Sequence, residues 1–327
     1  MSEKSSKRIS FIDFISKWGT VITVLFLIIL FSTLMKDTFL SVSNITTILR
    51  SISIVTVIAI GVTISLTVNG FDLSVGSTAT FADSLVMTMF IWHGMPTFTS
   101  VGLTLLVALS VAAVNSFLIV KLKVPDMLAT LASMFIFQGV AMTYAGGGSV
   151  SQNMSRLDGT LTTGKVPALF NKIGSAPWII IIMLVVVAAV HIFLTYTKHG
   201  RYMYTVGGNI EAARLSGIPV DRYRTLAYFL STLFASLGGI MIASRVGSAQ
   251  INAGAGYLMP AVAAAYIGFS FAGAGKPNAI GTLVGALLVG ILENGLVMLS
   301  VPYYSLDIVK GIVLAVALAS TYFKEKN

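Results

Sequence analysis

Long apolar runs recur along the whole chain, and they constrain its fold more than any other feature of the sequence. A helix needs about 20 consecutive apolar residues to cross the ~30 Å hydrocarbon core of a bilayer. Only 10% of the residues are charged and 56% are hydrophobic, whereas soluble domains carry about 25% charged residues. The runs also lack the ~10-residue alternation of transmembrane β-strands. The sequence therefore predicts an all-α polytopic membrane protein.

About ten candidate transmembrane spans can be placed on the apolar runs. They are approximately residues 18–35, 45–68, 73–92, 101–120, 127–145, 177–196, 225–244, 257–272, 279–299 and 306–323. If the N-terminus lies in the cytosol, the inner segments hold 14 of the 21 Lys and Arg residues. These are Lys4, Lys7, Arg8, Lys17, Lys121, Lys123, Lys198, Arg201, Arg214, Arg222, Arg224, Lys276, Lys324 and Lys326. Because cytoplasmic segments are enriched in basic residues, we expect both termini to be cytosolic.

This topology predicts a cytosolic segment at 1–17, a single transmembrane domain at 18–323 and a cytosolic tail at 324–327. A long polar segment at 146–176 is then extracytoplasmic, and it is either a solvated connector or a platform for an external protein. The net charge of +9 fits cytoplasmic loops, and nucleic-acid binding is not expected because no basic patch with interleaved aromatics is present. The absence of cysteine excludes disulfides and thiolate metal sites, and the three histidines lack metal-ligand spacing.

The cytosolic segment 198–224 carries the pattern of a short capped helix. Gly207 and Gly208 predict a turn, and Asn209 is a candidate N-cap. Glu211 suits the positive end of a helix dipole, and the Ala-rich stretch that follows favours helix. Gly217 suits a left-handed C-terminal position. The segment therefore predicts a two-turn helix that docks onto another protein, and an ordinary connector is the alternative.

Several spans are interrupted by polar and glycine-rich segments, at 69–77, 254–256 and 273–277. Non-helical backbone at membrane depth is tolerated where it is buried in protein or lines a cavity, and broken helices in both halves indicate a translocation path. Asp83 and Glu293 lie within spans, so we expect them to face protein or water. For Asp72 and Glu293, a structural role within the bundle and a role on the path both stay open.

In four sequence motifs the chain resembles the permease subunits of ribose-type sugar ABC importers. The resemblance rests on NGFDLSVGS at 69–77, GGNIEAARLSGIPVDRYR at 207–224, SAQINAGAGY at 248–257 and NGL at 294–296. It covers roughly residues 40–322, with the motifs in the family's order. Two departures lie near the presumed path: LMPAVA at 258–263, and a missing double-glycine run at 268–275. These departures weaken the assignment of ribose itself as the solute.

The resemblance implies a transmembrane pore in the bacterial cell membrane that imports a monosaccharide or a similar polyhydroxylated solute. It implies a cytosolic ABC ATPase, an extracytoplasmic solute-binding protein and a second permease copy as partners. ATP and Mg²⁺ are bound by the ATPase, so no cofactor or metal is expected in this chain. The expected ATPase-coupling residues are Gly207, Gly208, Asn209, Glu211, Ala212, Ala213, Arg214, Leu215, Ser216 and Gly217. The candidate translocation-path residues are Asn69, Asp72, Ser74, Gln250, Asn252, Glu293 and Asn294.

Three rival functions are weighed against this one. An ion-coupled secondary transporter requires Asp72, Asp83 or Glu293 to bind or release the ion during transport. A membrane-integral enzyme requires a nucleophile–base pair or a His/Asp cluster, which the sequence does not offer. A channel requires no docking helix at 209–217.

Overall fold

The structure is a computed structural model that describes residues 11–156, 159–270, 275–309, 311, 312 and 315. Within these residues the regular structure is helical, apart from two isolated β-bridges. The helices are α1 (Phe11–Leu34), α2 (Val42–Leu66), α3 (Val75–Ile91), α4 (Thr97–Ser116), α5 (Asp126–Tyr144), α6 (Ala168–Ile173), α7 (Trp178–Tyr196), α8 (Lys198–Gly208), α9 (Ile210–Leu215), α10 (Val220–Val246), α11 (Ala255–Ser270) and α12 (Ala279–Met298). A π-helical turn, Phe117–Lys121, extends α4, and Tyr303–Ser305 form a 3₁₀ turn.

Six helical segments of the described residues are long and apolar enough to cross a membrane. They are Val42–Leu66, Thr97–Lys121, Asp126–Tyr144, Trp178–Tyr196, Val220–Val246 and Ala279–Met298. Shorter apolar helices cover Trp18–Leu34, Val75–Ile91 and Ala255–Phe269. Each predicted span except the last coincides with one of these helices, and the span predicted at 306–323 lies mostly outside the described residues. An all-helical membrane fold is therefore confirmed.

Helix α3 forms the centre of the bundle, because every residue from Val75 to Ile91 is buried. Helices α10, α5 and α4 pack around it. At Gly239 of α10 an added Cβ would lie 2.1 Å from the carbonyl oxygen of Ala79 in α3. Small residues let helix backbones approach closely in membrane proteins. The missing side chain at Gly239 therefore sets the distance between α3 and α10.

Two long helices are each followed by a break and a short helix. The first break, 67–74, separates α2 from α3, and the second, 247–254, separates α10 from α11. An added Cβ at Gly254 would lie 2.0 Å from the carbonyl oxygen of Gly76, in the first turn of α3. The second break thus lies beside a helix that is buried on all sides. The interruptions predicted at 69–77 and near 254 are confirmed, although α11 already begins at Ala255.

The polar segment 146–176 is ordered against the bundle where the structure describes it. Val150 forms an antiparallel bridge with Ala249, next to the second break. Helix α6 follows, and the Ser244 hydroxyl donates to the carbonyl oxygen of Phe170 and accepts a 2.7 Å hydrogen bond from Gly174 N. This segment therefore packs on α10 and is more than a solvated connector. We call this side of the molecule the α6 end.

The opposite side, the α9 end, carries α8, α9 and the connection between α4 and α5. The prediction of a turn at Gly207 and Gly208 is wrong, because both residues belong to α8. An added Cβ at Gly207 would lie 2.3 Å from the carbonyl oxygen of Thr67, so α8 packs directly on the first break. This close packing supports helix at Gly207, whereas Gly208, the last residue of α8, has nothing within 4 Å of an added Cβ.

Candidate functional site

The first break is organised by Asp72, whose side chain is fully buried. Its Oδ1 accepts hydrogen bonds from Ser74 N at 2.9 Å and from Ser74 Oγ at 2.6 Å, and its Oδ2 accepts from Ser231 Oγ at 2.7 Å. Asn115 Nδ2 of α4 donates to Ser74 Oγ at 2.9 Å. In this conformation the carboxylate satisfies backbone at the start of α3 and joins α3 to α10. The sequence did not single out Ser231 or Asn115.

Asn69, the other path candidate of the first break, lies away from Asp72's buried network. Its side chain is exposed, and its backbone has a φ of 57°. An added Cβ at Gly207 would lie 3.2 Å from Asn69 N, so Asn69 is a neighbour of α8. Asn69 therefore lies at the α9 end of the bundle.

The second break carries Gln250 and Asn252, both exposed. Asp83 of α3 is fully buried and its Oδ2 accepts a 3.0 Å hydrogen bond from Gln250 N. Thr80 Oγ1, one turn earlier, accepts a 3.0 Å hydrogen bond from Gly254 N. These two bonds fix the break against α3. Asp83 therefore faces protein, as the sequence predicted for an intramembrane carboxylate.

Gln138 of α5 donates a hydrogen bond from Nε2 to Asn252 Oδ1. Gln138 was not among the site residues predicted from the sequence. A signal was available, because Gln138 is the one amide side chain of a helix that is predicted to span the membrane. The partner in the second break was not apparent from the sequence, since the two residues lie far apart in the chain.

Glu293 and Asn294 lie on α12, half-buried. Asn294 Nδ2 donates to Asn44 Oδ1 of α2 at 3.1 Å. Glu293 lies in an apolar cleft whose other lining residues include Met259, Leu292 and Leu306. Glu293 therefore lies beside α11, whereas Asp72 and Ser74 belong to a separate group.

Helix α9 has the caps that its sequence predicted. Asn209 Oδ1 accepts a 2.9 Å hydrogen bond from Ala212 N, and Gly217 has a φ of 76°. Ala213 is fully buried, whereas Leu215 is 88% exposed. The helix is shorter than the predicted two turns, because it ends at Leu215. Its buried alanine holds it to the bundle while an apolar side chain points away from the bundle.

The outer surface of α9 carries a salt bridge, in which Arg214 Nη1 lies 2.9 Å from Glu211 Oε1. Both side chains are more than half exposed. Such pairs contribute little to stability in water. Together with Leu215 they form an exposed surface suited to a protein partner.

Helix α8 is tied to the start of α12. Tyr204 Oη donates a 2.7 Å hydrogen bond to the carbonyl oxygen of Pro277, and the Lys276 ammonium lies 5.5 Å from the Tyr204 ring centroid. Burial raises the pKa of Tyr204 to about 12. The phenol therefore keeps its proton, and continues to donate, throughout the neutral range.

A partly buried ion pair lies next to the first break, and it was not predicted from the sequence. Arg224 of α10 pairs with Asp126 at the start of α5, and both side chains are 16% exposed. The Tyr228 hydroxyl donates to the other carboxylate oxygen of Asp126. An added Cβ at Gly70 would lie 2.7 Å from Tyr228 Oη, so the glycine of the first break is required for this packing. The network joins α5, α10 and the first break at the α9 end.

The sequence of this chain matches known transport proteins over most of its length. The profile of the family described as branched-chain amino acid transport system / permease component matches residues 44–318. The chain is 33% identical to the ribose import permease protein RbsC of Haemophilus influenzae over 318 residues, covering 96% of each chain. It is 32% identical to RbsC of Bacillus subtilis over 316 residues, covering 97% of this chain and 96% of that protein.

A more distant relative is named for a different solute. The chain is 27% identical to the xylose transport system permease protein XylH of Escherichia coli K12 over 352 residues, covering 91% of this chain and 90% of that protein. No solved structure matches the chain. The six long apolar helices and these bacterial relatives make the chain a multi-pass protein of the bacterial cell membrane. It belongs to the family of the branched-chain amino acid transport system permease components, among which it matches ribose-type ABC permeases over nearly its whole length.

Proposed function

We propose that the chain is the transmembrane permease subunit of an ATP-driven ABC importer for a monosaccharide or a similar small polyhydroxylated solute. The observation that carries the proposal is α9, a capped helix at one end of the bundle that exposes 88% of Leu215. Relatives named for ribose import and xylose transport support the solute class. The permease forms the pore and has no catalytic residues of its own, because its partner ATPase binds and hydrolyses ATP with Mg²⁺.

The α9 end faces the cytosol in this proposal. Lys121, Lys123 and Lys198 lie at this end, and basic residues favour the cytoplasmic side of a membrane. Both termini are then cytosolic, and the segment at 306–323 completes about ten membrane-spanning helices. The α6 end faces outward and presents the segment 146–176 to an extracytoplasmic binding protein.

Helix α9 is the element that a cytosolic ATPase would engage. Leu215 offers an apolar anchor, and the exposed Glu211–Arg214 pair offers charges around it. Contacts link this surface to the bundle: Ala213 is buried, α8 packs on Thr67, and Tyr204 bonds to Pro277. Movement of α9 would therefore reach both the first break and the start of α12.

Transport then requires three partners besides membrane lipid. Two permease copies, identical or related, enclose the pore, and the binding protein releases solute at the outer face. Approach of the ATPases on binding ATP moves the α9 helices and opens the pore outward, and hydrolysis resets it. Because a binding protein selects the solute first, the pore needs only a weak site.

The test is reconstitution of the permease with its candidate ATPase and binding protein in liposomes, with uptake and ATP hydrolysis measured together. The double variant Glu211→Arg/Arg214→Glu exchanges the positions of the two charges on the α9 surface while keeping the pair within the helix. We expect it to uncouple ATP hydrolysis from uptake. The matched control is Lys123→Asp/Asp221→Lys, which reverses an exposed pair at 3.4 Å outside α9 and should leave coupling unchanged.

Three results would contradict this function. Equal losses in the two double variants would mean that α9 has no special role. Uptake by the permease alone that follows an ion gradient would favour a secondary transporter, and Glu293 and Asp72 would then be the residues to substitute. ATP-dependent uptake of an amino acid but of no sugar would leave the pore role intact and overturn the solute class.

A further inference from the structure

The second break presents amide side chains inside the membrane-spanning part of the bundle. Its last residue, Gly254, packs on Gly76 and Ala79 of α3. Ala79 in turn packs on Gly239, within the span of α10. Gln250 and Asn252 are nevertheless exposed in the single chain. An amide in hydrocarbon without hydrogen-bond partners is unfavourable by several kcal/mol, so these groups face water or protein.

Helix α5 lies across from these amides. Among the six long apolar helices of the described residues, α5 has the smallest buried share, 28%. It packs mainly on α3 and α4. Gln138, which is half-buried, joins it to Asn252 of the second break. The bond between Gln138 and Asn252 therefore connects a sparsely packed helix to the second half of the chain.

The two sides of this contact are held in different ways. Asp83 and Thr80 fix the second break at Gln250 N and Gly254 N, with both bonds at 3.0 Å. Asn252 has a φ of 59°, which presents its side chain from a tight turn. Asp83 and Thr80 are thus positioning residues for the break. Helix α5 is held at its start by Asp126, about three turns before Gln138.

We propose that Gln138 and Asn252 form an amide clasp on the solute path. In this conformation the two amides bond to each other and close the path between α5 and the second break. When they separate, each offers a carbonyl acceptor and an N–H₂ donor, which match the hydroxyl groups of a polyhydroxylated solute. The inference rests on the proposed function, and it adds Gln138 as a solute-contacting residue.

The first test uses the fact that the chain contains no cysteine. Gln138→Cys and Asn252→Cys are made singly, and each is assembled with the ATPase and binding protein in liposomes. The control is Val185→Cys, whose position on the apolar helix α7 is 61% exposed. A charged, membrane-impermeant thiol reagent is added during ATP turnover. We expect both clasp thiols to react at least about tenfold faster than the control, and saturating solute to slow them.

The labelling result decides whether the clasp lines an aqueous path. If the thiols at 138 and 252 react as slowly as the control in every nucleotide state while uptake continues, the inference is overturned. It is also overturned if they react quickly but solute gives no protection. ATP-dependent uptake by the wild-type complex tests the proposed function separately from the clasp. If the wild type shows no such uptake, the proposed function is contradicted, whereas thiol labelling still tests whether residues 138 and 252 line an aqueous path.

A second test asks whether the clasp opens during transport. In the double variant Gln138→Cys/Asn252→Cys, a short thiol cross-linker should stop uptake, whereas neither single variant should be affected. A cross-linked chain that transports at the uncross-linked rate overturns the inference. Cross-links that form only between two permease copies overturn it as well, since the amides would then belong to an interface between copies.

Apolar replacements supply a test that does not depend on cysteine. Gln138→Leu removes the hydrogen-bonding groups with little change in volume. We expect the KM for solute to rise about tenfold, as for loss of one hydrogen bond, with ATP hydrolysis little changed. Thr143→Val is the control, because Thr143 is an exposed polar residue of the same helix and its replacement also removes a hydrogen-bonding group. Equal KM values for the two variants and the wild type contradict the proposal.

Discussion

Tyr204 of α8 donates a 2.7 Å hydrogen bond to the carbonyl oxygen of Pro277, which directly precedes the N-cap of α12. Asn278 caps α12 by accepting a 2.6 Å hydrogen bond from Gly281 N. Helix α8 also leads into α9 through Asn209. One phenol therefore joins the exposed α8–α9 surface to the start of a membrane-spanning helix.

We predict that Tyr204→Phe weakens coupling between ATP hydrolysis and uptake in the reconstituted complex. Loss of the hydrogen bond leaves the Pro277 carbonyl unpaired, at a cost of about 1–3 kcal/mol. Because the pKa of Tyr204 is raised to about 12, the effect should not vary between about pH 6 and 9. The control is Tyr202→Phe, since Tyr202 is 39% exposed on the same helix. Equal solute uptake per ATP in the two variants would contradict the prediction.

We predict that Asp126→Ala strongly destabilises the permease. The substitution leaves Arg224 as a partly buried, unpaired charge, and breaking a buried pair in this way costs about 3 kcal/mol. The measurement is the thermal unfolding midpoint in detergent. Asp221→Ala is the comparison, because its pair with Lys123 is about 60% exposed and should contribute at most ~1 kcal/mol. A similar midpoint for both variants would show that the buried network is unimportant for stability.

We predict that Gly239→Ala disrupts packing between α3 and α10. The new Cβ would lie 2.1 Å from a backbone oxygen of Ala79, and this oxygen cannot move without moving α3. Overpacking of this kind costs about 1–3 kcal/mol or more. At Gly102 of α4 nothing lies within 4 Å of an added Cβ, so Gly102→Ala should be neutral or stabilise the helix by up to ~1 kcal/mol. Yields of folded protein after size-exclusion chromatography would separate the two variants.

We predict that Asn209→Ala weakens binding of the ATPase. Its side chain accepts the hydrogen bond from Ala212 N that caps α9, and loss of an N-cap costs about 1 kcal/mol. Without its cap, α9 would have to become ordered when the ATPase docks. The Kd for the ATPase should therefore rise about fivefold. Asn209→Ser should restore affinity because serine is also a good N-cap. If Asn209→Ala and Asn209→Ser bind equally, helix capping does not limit docking.

The local features of α9 and of the breaks followed directly from sequence. Asn209, Gly217 and the alanines between them act through contacts within a few residues, so the cap and the left-handed terminus could be predicted. The turn predicted at Gly207 and Gly208 was wrong because a tertiary contact overrode local preference. Both glycines are helical, and Gly207 packs on Thr67 of the first break.

The partners of the polar side chains could not be predicted in the same way. Asp72 carried a clear signal at a helix break, yet its bond to Ser231 joins residues that are far apart in sequence. The same holds for Asp126 with Arg224 and for Gln138 with Asn252. Apolar periodicity identifies which residues lie in the membrane, but it contains no information on which helices become neighbours.

The sequence by itself determined the membrane class, most of the spans, the breaks and the capped helix α9. These depend on apolar run length, on backbone preferences of Gly and Asn, and on contacts within one or two turns. Only the tertiary structure decided that α3 is central, that α8 packs on the first break, and that Gln138 meets Asn252. Those outcomes depend on close packing between helices, where a missing Cβ at Gly239 or Gly254 allows backbones to touch, and no local pattern specifies the helix on the other side.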